Sequence, residues 1–105
     1  MSALSIGQSA RGLRHTITLD GELDLATALD LYASVAPLVY ESEAREIELD
    51  LSALHFLDSS GLHLILRLRT LCKEHGCTLL LRSPSKQVRR LLEVTGVAVP
   101  TDETD

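Results

Sequence analysis

The sequence predicts an α/β fold in which a mixed central sheet of four to five strands carries about three helices, mainly on one face. Stretches typical of strands and of helices alternate along the 105 residues. The clearest strand is Glu46–Leu51, where apolar and acidic residues alternate with the period of two that a strand buried on one face requires. The clearest helix follows from about Ser59 to His75, where apolar residues recur every three to four positions. This alternation favours right-handed crossovers.

The first part of the chain predicts two strands followed by a helix. Ala3–Gln8 has apolar residues at alternate positions and is expected to form a first strand. Leu13–Leu19 alternates more regularly, and the short segment between the two suits a hairpin turn. Gly21 ends the second strand, and apolar spacing then predicts a helix through Leu25–Ala36. Pro37 lacks an N–H group, so we expect it to kink or end this helix.

The last part of the chain predicts a buried strand and a short helix. Gly76 is typical of the residue that closes a helix. The next segment, Cys77–Leu81, ends in consecutive leucines, so we expect this strand to be covered on both faces. Ser83 and Pro84 suit the cap and the first position of a third helix. An edge strand is expected at Val97–Val99.

Length and composition indicate one folded domain. The 105 residues are 45% hydrophobic and 24% charged, which is enough apolar content for a single core. We expect the domain to cover residues 1–100 and an acidic tail to follow at residues 101–105. The net charge of −5 and the absence of tryptophan argue against direct binding of nucleic acid. No secretory or membrane-spanning segment is visible, so a cytoplasmic protein without membrane insertion is expected.

The residue types that usually support catalysis do not occur in the required patterns. The histidines and cysteines lack the spacing of a zinc site, and there is no glycine-rich nucleotide-binding loop, so no metal or cofactor is expected. A serine hydrolase would need a Gly-x-Ser-x-Gly turn, which is missing. Cys72 and Cys77 are expected to be buried thiols rather than a disulfide. The sequence therefore favours a binding protein over an enzyme.

The candidate functional residues lie at the start of the long helix. Asp58 precedes this helix and is expected to cap it, because its carboxylate can accept hydrogen bonds from N–H groups one turn further on. Ser59 and Ser60 occupy the first turn and are followed by Gly61. These four residues have two interpretations. They form an ordinary capped helix start, or they present a phosphoryl acceptor, since N–H groups and the helix dipole stabilise a phosphate at a helix N-terminus.

The same helix has an unusually wide apolar arc. Its polar residues form one narrow stripe on a helical wheel, made of His63, Arg67, Thr70 and Glu74. This distribution indicates a helix that is buried on two sides, or one that lends a flank to a partner.

Three landmarks follow one another in an order that matches a known family. The first is the turn Gly21-Glu22-Leu23-Asp24 before the first helix, and the second is the acidic strand with Phe56-Leu57, the Asp58–Gly61 turn and the leucine-rich helix. The third is Ser83-Pro84 with the basic helix and Gly96 after it. Together they resemble the STAS domain of bacterial anti-sigma factor antagonists, which implies a STAS-type sheet. The family commonly continues with a further helix that is not evident here, which would leave apolar surface for a dimer or a partner.

The resemblance also implies a phosphorylation switch. Ser59 would be phosphorylated by an anti-sigma factor serine kinase with ATP and magnesium, and a serine phosphatase would reverse the reaction. Asp58, Ser60 and Gly61 would form the cap and the loop around it, and the partner-binding surface would comprise Gly21, Glu22, Asp24 and Leu62. Unphosphorylated, the module would bind the kinase and free its sigma factor. The alternative is a non-switching STAS subunit of a transport complex or a signalling scaffold.

Overall fold

The computed structural model describes residues 4–94 and 101–102, which form one sheet and three helices. The strands are β1 Leu4–Arg11, β2 Arg14–Leu23, β3 Glu46–Leu57, β4 Thr78–Arg82 and β5 Thr101–Asp102. The helices are α1 Ala28–Glu41, α2 Ser59–Glu74 and α3 Lys86–Val94. The sheet order follows the chain from β1 to β5. β1 and β2 pair antiparallel and the other neighbours pair parallel, so the predicted mixed α/β fold is confirmed.

The core lies between the helices and one face of the sheet. In β2, Ile17 and Leu19 are fully buried, whereas Thr18 between them is exposed, as the period of a strand with one covered face requires. The same core contains side chains from all three helices, namely Leu31, Val35, Ile65, Leu68, Val88 and Leu92. The sheet therefore has a helix-covered face and an open face.

β3 is longer than the sequence predicts, because two register shifts interrupt its period of two. The predicted strand ends at Leu51, but the observed strand continues to Leu57. Its buried leucines lie three residues apart at Leu51, Leu54 and Leu57, and the pairing with β2 shifts at two places along this stretch. Near the first shift, the Asp50 carboxylate accepts hydrogen bonds from the backbone N–H and the hydroxyl of Ser52, at 3.0 and 2.7 Å. The extra residues carry β3 directly to the start of α2.

The open face of the sheet contains a buried carboxylate. The side chain of Glu48 is only 1% exposed, although it belongs to the polar set of residues in β3. Its oxygens accept from Nη1 of Arg14 at 3.2 Å, from Nη1 of Arg82 at 3.4 Å and from the Thr16 hydroxyl at 3.3 Å. These donors come from the neighbouring strands β2 and β4, so the cluster joins three strands across the face opposite the helices.

Pro37 does not end α1, which excludes one of the two predicted effects of this residue. The helix continues through it to Glu41. A proline inside a helix removes one backbone hydrogen bond. Here the residues that follow still contribute to the core, since Val39 is buried and Leu38 packs against the same cluster. Burial of these side chains in the core stabilises the helix and offsets the lost backbone hydrogen bond.

The third helix begins later than predicted. Ser83 and Pro84 were expected to start it, but both precede α3, which begins at Lys86. Ser83 has a φ of 52°, a left-handed conformation that turns the chain out of β4. The capping role belongs to Ser85 instead, because its hydroxyl accepts a hydrogen bond from the N–H of Val88 at 3.2 Å.

β4 is covered on one face only, which corrects the expectation of a strand covered on both. Leu79 and Leu81 are buried, whereas Leu80 and Arg82 are partly exposed on the open face. Three consecutive leucines fit a strand covered on both faces, but they also fit a strand covered on one face whose middle leucine, Leu80, lies on the other.

Beyond β4, the short strand β5 completes the described sheet. Thr101 and Asp102 were expected to belong to the acidic tail, but they pair with Leu81 and Arg82 of β4. Strand pairing uses backbone groups, so an acidic segment can join a sheet edge as readily as an apolar one. The edge strand expected at Val97–Val99 lies outside the described residues.

The end of α2 brings the two cysteines together as buried free thiols. Gly76 has a φ of 80°, and the N–H of Cys77 donates to the carbonyl oxygen of Cys72 at 2.9 Å, which closes the helix as predicted. Both side chains are buried and neither forms a disulfide, in agreement with the sequence. Burial, and to a lesser extent a hydrogen bond with Cys77, raises the pKa of the Cys72 thiol.

Candidate functional site

Asp58 caps α2 as the sequence predicts. Its backbone is extended, with φ −103° and ψ −175°, and its Oδ1 accepts a hydrogen bond from the N–H of Gly61 at 2.9 Å. The carbonyl oxygen of Asp58 accepts from the N–H of Leu62 at 3.0 Å and so begins the helical hydrogen-bond pattern. The first turn of α2 is therefore held from both the side chain and the backbone of one residue.

The two serines of this turn differ in their exposure. Ser59 is exposed, and within residues 4–94 its hydroxyl has no hydrogen-bond partner. Ser60 is only partly exposed and borders a groove between α1 and α2. An incoming group can therefore reach Ser59 at the positive end of the helix dipole, whereas Ser60 faces the neighbouring helix.

Gly61 allows the start of α2 to pack closely against the end of β2. A Cβ atom at this position would lie 2.6 Å from the carbonyl oxygen of Leu23 and 2.8 Å from Cδ1 of Leu57. The same carbonyl oxygen accepts a hydrogen bond from the N–H of Asp58 at 3.3 Å. Gly61 was predicted as part of the loop, but this packing reason becomes visible only when the two segments are placed side by side.

The segment predicted as the second turn lies beside the first, although β2 does not end at Gly21 as predicted but continues to Leu23. Gly21 is buried with a φ of 125°, a conformation that favours glycine, and Glu22 is partly exposed. The two residues pair with Leu54 and Phe56 of β3. The register thus places the turn after β2 next to the end of β3, where Asp58 begins the serine turn.

Asp24 has a structural role in this turn. Its Oδ1 accepts hydrogen bonds from the N–H groups of Ala26 and Thr27 at 3.0 and 3.1 Å. The buried Thr27 hydroxyl in turn accepts from the N–H of Asp24 and donates to the carbonyl oxygen of Glu22, both at 2.9 Å. The carboxylate of Asp24 is thus engaged in holding the turn before α1. Of the other predicted partner-binding residues, Glu22 is partly exposed, whereas Leu62 is partly buried and packs against the core.

A groove between α1 and α2, which we name the α1–α2 groove, begins beside the serine turn. Its near half has a volume of about 420 Å³ and its far half of about 360 Å³. The near half is lined by Leu25, Ala28, Leu29, Ser60, His63, Leu64 and Arg67. The far half shares His63 and Arg67 and is further lined by Tyr32, Leu66, Thr70, Leu71 and Glu74. The polar stripe of α2 thus lines this groove.

Sequence patterns did not identify this groove. Leu25 and Leu29 continue the apolar spacing of the first helix, so they were expected on its inner face, yet they are 75% and 76% exposed. The only signal was the wide apolar arc of α2, which indicated a flank available to a partner.

Two further observations concern chemistry that the described part of the chain does not contain. Residues 4–94 and 101–102 include no group of three or more histidine, cysteine or acidic side chains arranged to hold a metal ion. Within the same residues, no helix combines the length and the apolar character needed to span a bilayer.

Comparison with known proteins identifies the family. The model of the STAS domain matches residues 9–103. An anti-sigma F factor antagonist from Lysinibacillus sphaericus is 34% identical over 82 residues, which are 77% of this chain and 69% of that protein. The crystal structure of an anti-sigma factor antagonist from Mycobacterium paratuberculosis is 28% identical, with a TM-score of 0.78 over 97% of this chain and 87% of that chain.

The anti-sigma factor antagonist SpoIIAA has the same fold in two states. Its unphosphorylated form has a TM-score of 0.78 at 21% identity, over 98% of this chain and 90% of that one. The phosphorylated form from Bacillus has a TM-score of 0.77 at 22% identity, over 98% and 92%. The family match covers nearly all the described residues and agrees with the landmarks around both turns, and the chain therefore belongs to the STAS domain family.

Proposed function

We propose that this protein is an anti-sigma factor antagonist, a cytoplasmic binding module and not an enzyme, whose binding surface is switched by phosphorylation of Ser59. Unphosphorylated, it binds and sequesters a kinase-type anti-sigma factor, and so releases a sigma factor for transcription. The single observation that carries the proposal is the exposed hydroxyl of Ser59 at the N-terminus of α2, which has no hydrogen-bond partner among the described residues. The antagonist from Lysinibacillus sphaericus, which shares 34% identity, supports the same function.

The proposed modification is a phosphoryl transfer from ATP to Ser59. A bond forms between the γ-phosphorus and the Ser59 oxygen, the bond to the oxygen of the ADP leaving group breaks, and the hydroxyl proton passes to a base of the kinase. The serine phosphatase hydrolyses the ester and releases inorganic phosphate. This chain supplies the acceptor and its position, while the partner supplies nucleotide and magnesium.

The structure favours Ser59 over Ser60 as the acceptor. Ser59 is exposed, whereas Ser60 is partly covered and faces α1 across the groove. A phosphate on Ser59 adds about −1.5 to −2 charges, which the N–H groups and dipole at the start of α2 stabilise in the free protein. The Ser59 hydroxyl has no hydrogen-bond partner among the described residues, so the phosphate displaces no existing contact of this side chain.

The same charge opposes binding without a change of fold. A partner surface that is apolar or acidic at this point must strip water from the phosphate, and desolvation of a buried ion costs several kcal/mol. A loss of about 3 kcal/mol weakens binding more than a hundredfold. The close packing of the α2 start, with Gly61 against Leu23, supports a switch that acts through charge and not through rearrangement.

The proposal is tested with two substitutions of the same residue. Ser59→Asp is expected to abolish binding to the purified anti-sigma factor kinase of the source organism in calorimetry, whereas Ser59→Ala retains it. Incubation with the kinase and ATP, followed by mass spectrometry, should place the phosphate on Ser59, with Ser60→Ala as the control that keeps modification intact. Equal binding by Ser59→Asp and Ser59→Ala would favour the non-switching subunit of a transport complex or scaffold. A kinase reaction that leaves Ser59 unmodified would refute the switch.

A further inference from the structure

We infer that the α1–α2 groove receives an apolar segment of the anti-sigma factor kinase, and that a carboxylate of this segment pairs with Arg67. The inference rests on the proposed function and names the surface that holds the partner beside the switch. It assigns contact residues that lie outside the predicted partner-binding set.

The first support is the unusual exposure of two leucines. Leu25 and Leu29 are 75% and 76% exposed, and both line the near half of the groove. Large apolar side chains that lie together at a concave surface are typical of protein interaction sites. A docked partner would remove these two side chains from water, and the burial of their apolar surface would stabilise the complex.

The second support is continuity with the serine turn. Ser60, the residue after the proposed phosphoacceptor, lines the near half of the groove together with His63. A segment lying in the groove therefore ends next to Ser59. This placement explains how a phosphate on Ser59, outside the groove, would meet the docked partner and weaken its binding.

The third support is the charge at the middle of the groove. Arg67 lines both halves, and its guanidinium carbon lies 5.9 Å from the centre of the Tyr32 ring. Within residues 4–94, the Arg67 guanidinium has no carboxylate within 4.0 Å, although acidic residues outnumber basic ones by 15 to 10 in the chain. An exposed cation beside the Tyr32 ring, in a groove that is also lined by exposed leucines, is complementary to an apolar segment that carries one carboxylate.

The same charges disfavour a second copy of this chain as the occupant. Each copy has a net charge of −5, so two copies repel one another at long range, whereas the groove itself presents a cation. A partner with an apolar, locally acidic segment satisfies both features of the groove.

The test uses variants that change the groove and leave the core unchanged. Leu25→Gln combined with Leu29→Gln removes the exposed apolar surface, and Arg67→Glu reverses the central charge, with Arg67→Lys as its conservative counterpart. Leu13→Gln is the matched control, because Leu13 is also exposed, at 52%, but lies at the opposite end of β2 from the serine turn. Circular dichroism and thermal melting establish that each variant is folded.

Binding is measured by calorimetry with the purified anti-sigma factor kinase, with Ser59→Asp and Ser59→Ala in parallel. We expect the double leucine variant and Arg67→Glu to raise Kd at least about tenfold, the loss of one or two buried leucine contacts or one charge pair at an interface. Arg67→Lys should bind more tightly than Arg67→Glu, and Leu13→Gln should bind like the wild type.

The outcomes separate the groove from the switch. Binding that Ser59→Asp abolishes but the groove variants leave unchanged overturns the groove and leaves the proposed function standing. Loss of binding in the groove variants, with Ser59→Asp and Ser59→Ala equal to the wild type, supports the groove and overturns the switch. A wild-type dimer in sedimentation that the double leucine variant dissociates assigns the groove to a second copy and overturns the inference. Absence of any binding by the wild type overturns both.

Discussion

Replacing Gly61 with alanine would place a methyl group where the structure has no room for it. The new Cβ would lie 2.6 Å from the carbonyl oxygen of Leu23, 2.8 Å from Cδ1 of Leu57 and 2.9 Å from Cγ of Leu23. Two of these atoms belong to the side chains of Leu57 and Leu23, which can adjust, but the closest belongs to the backbone of β2. The first turn of α2 must therefore move away from the end of β2.

The expected cost follows from three contributions. Overpacking of a filled interior typically costs about 1–3 kcal/mol. Movement of the helix start also weakens the hydrogen bond from the Asp58 N–H to the Leu23 carbonyl, and such a bond contributes about 0.5–1.5 kcal/mol. The higher helix propensity of alanine offsets up to about 1 kcal/mol of this loss in stability. The central values of these contributions give a net loss in the free energy of unfolding of about 2 kcal/mol, which lowers Tm by roughly 8–16 °C for a domain of this size.

Urea denaturation and thermal melting, followed by circular dichroism, measure this loss. Gly7→Ala is the matched control, because a Cβ at Gly7 would meet only Cβ of Thr18, at an ordinary contact distance of 3.8 Å. The Gly7 variant should be as stable as the wild type or slightly more stable, since alanine restricts the unfolded chain. An unchanged urea midpoint for Gly61→Ala would refute the inference that the start of α2 packs against the end of β2 without room for a methyl group.

Three further predictions concern stability and thiol reactivity. Asp58→Ala removes the cap of α2 and should lower the free energy of unfolding by about 1 kcal/mol in urea, whereas Asp58→Ser retains an acceptor and loses less. Glu48→Ala leaves Arg14 and Arg82 without their shared carboxylate; because both arginines are partly exposed, we expect a loss of about 2 kcal/mol, below the value for a fully buried pair. Since burial raises the pKa of the Cys72 thiol, iodoacetamide at about pH 8 should label it slowly in the folded protein and rapidly in urea, as mass spectrometry would show.

A specific result would contradict each of these three predictions. Equal stability of Asp58→Ala and Asp58→Ser would mean that the observed hydrogen bond does not stabilise α2. A Glu48→Ala variant as stable as the wild type would show that desolvation of the carboxylate cancels its ion pairs. Rapid labelling of Cys72 in the folded protein would show that the end of α2 opens readily.

The sequence predicted those features that depend on neighbouring residues. The alternation in Ile47–Leu51, the helical spacing after Ser59 and the cap at Asp58 all follow from local geometry, and each is present in the structure. Gly76 was likewise identifiable as the end of α2, because a left-handed residue at that position favours glycine.

The features that the sequence did not predict depend on contacts between distant residues. Glu48 belongs to the polar set of its strand and would be expected at the surface, yet Arg14 and Arg82, each 34 residues away, bury it. The second half of β3 was not predicted, because bulges insert extra residues and a period of two does not continue across them. Leu25 and Leu29 have the spacing of core residues, but the structure leaves both exposed beside the α1–α2 groove.

The hydrogen bond between Asp58 and Leu23 has a consequence for any enzyme that modifies Ser59. A flexible segment can adapt to the cleft of a kinase. Ser59 instead belongs to a helix whose first turn is hydrogen-bonded to, and packed against, the end of β2. Such an enzyme must fit the whole domain, and we expect a short peptide copied from this region to be a poor substrate. Recognition of a folded shape in place of a linear motif would restrict the reaction to domains of this architecture.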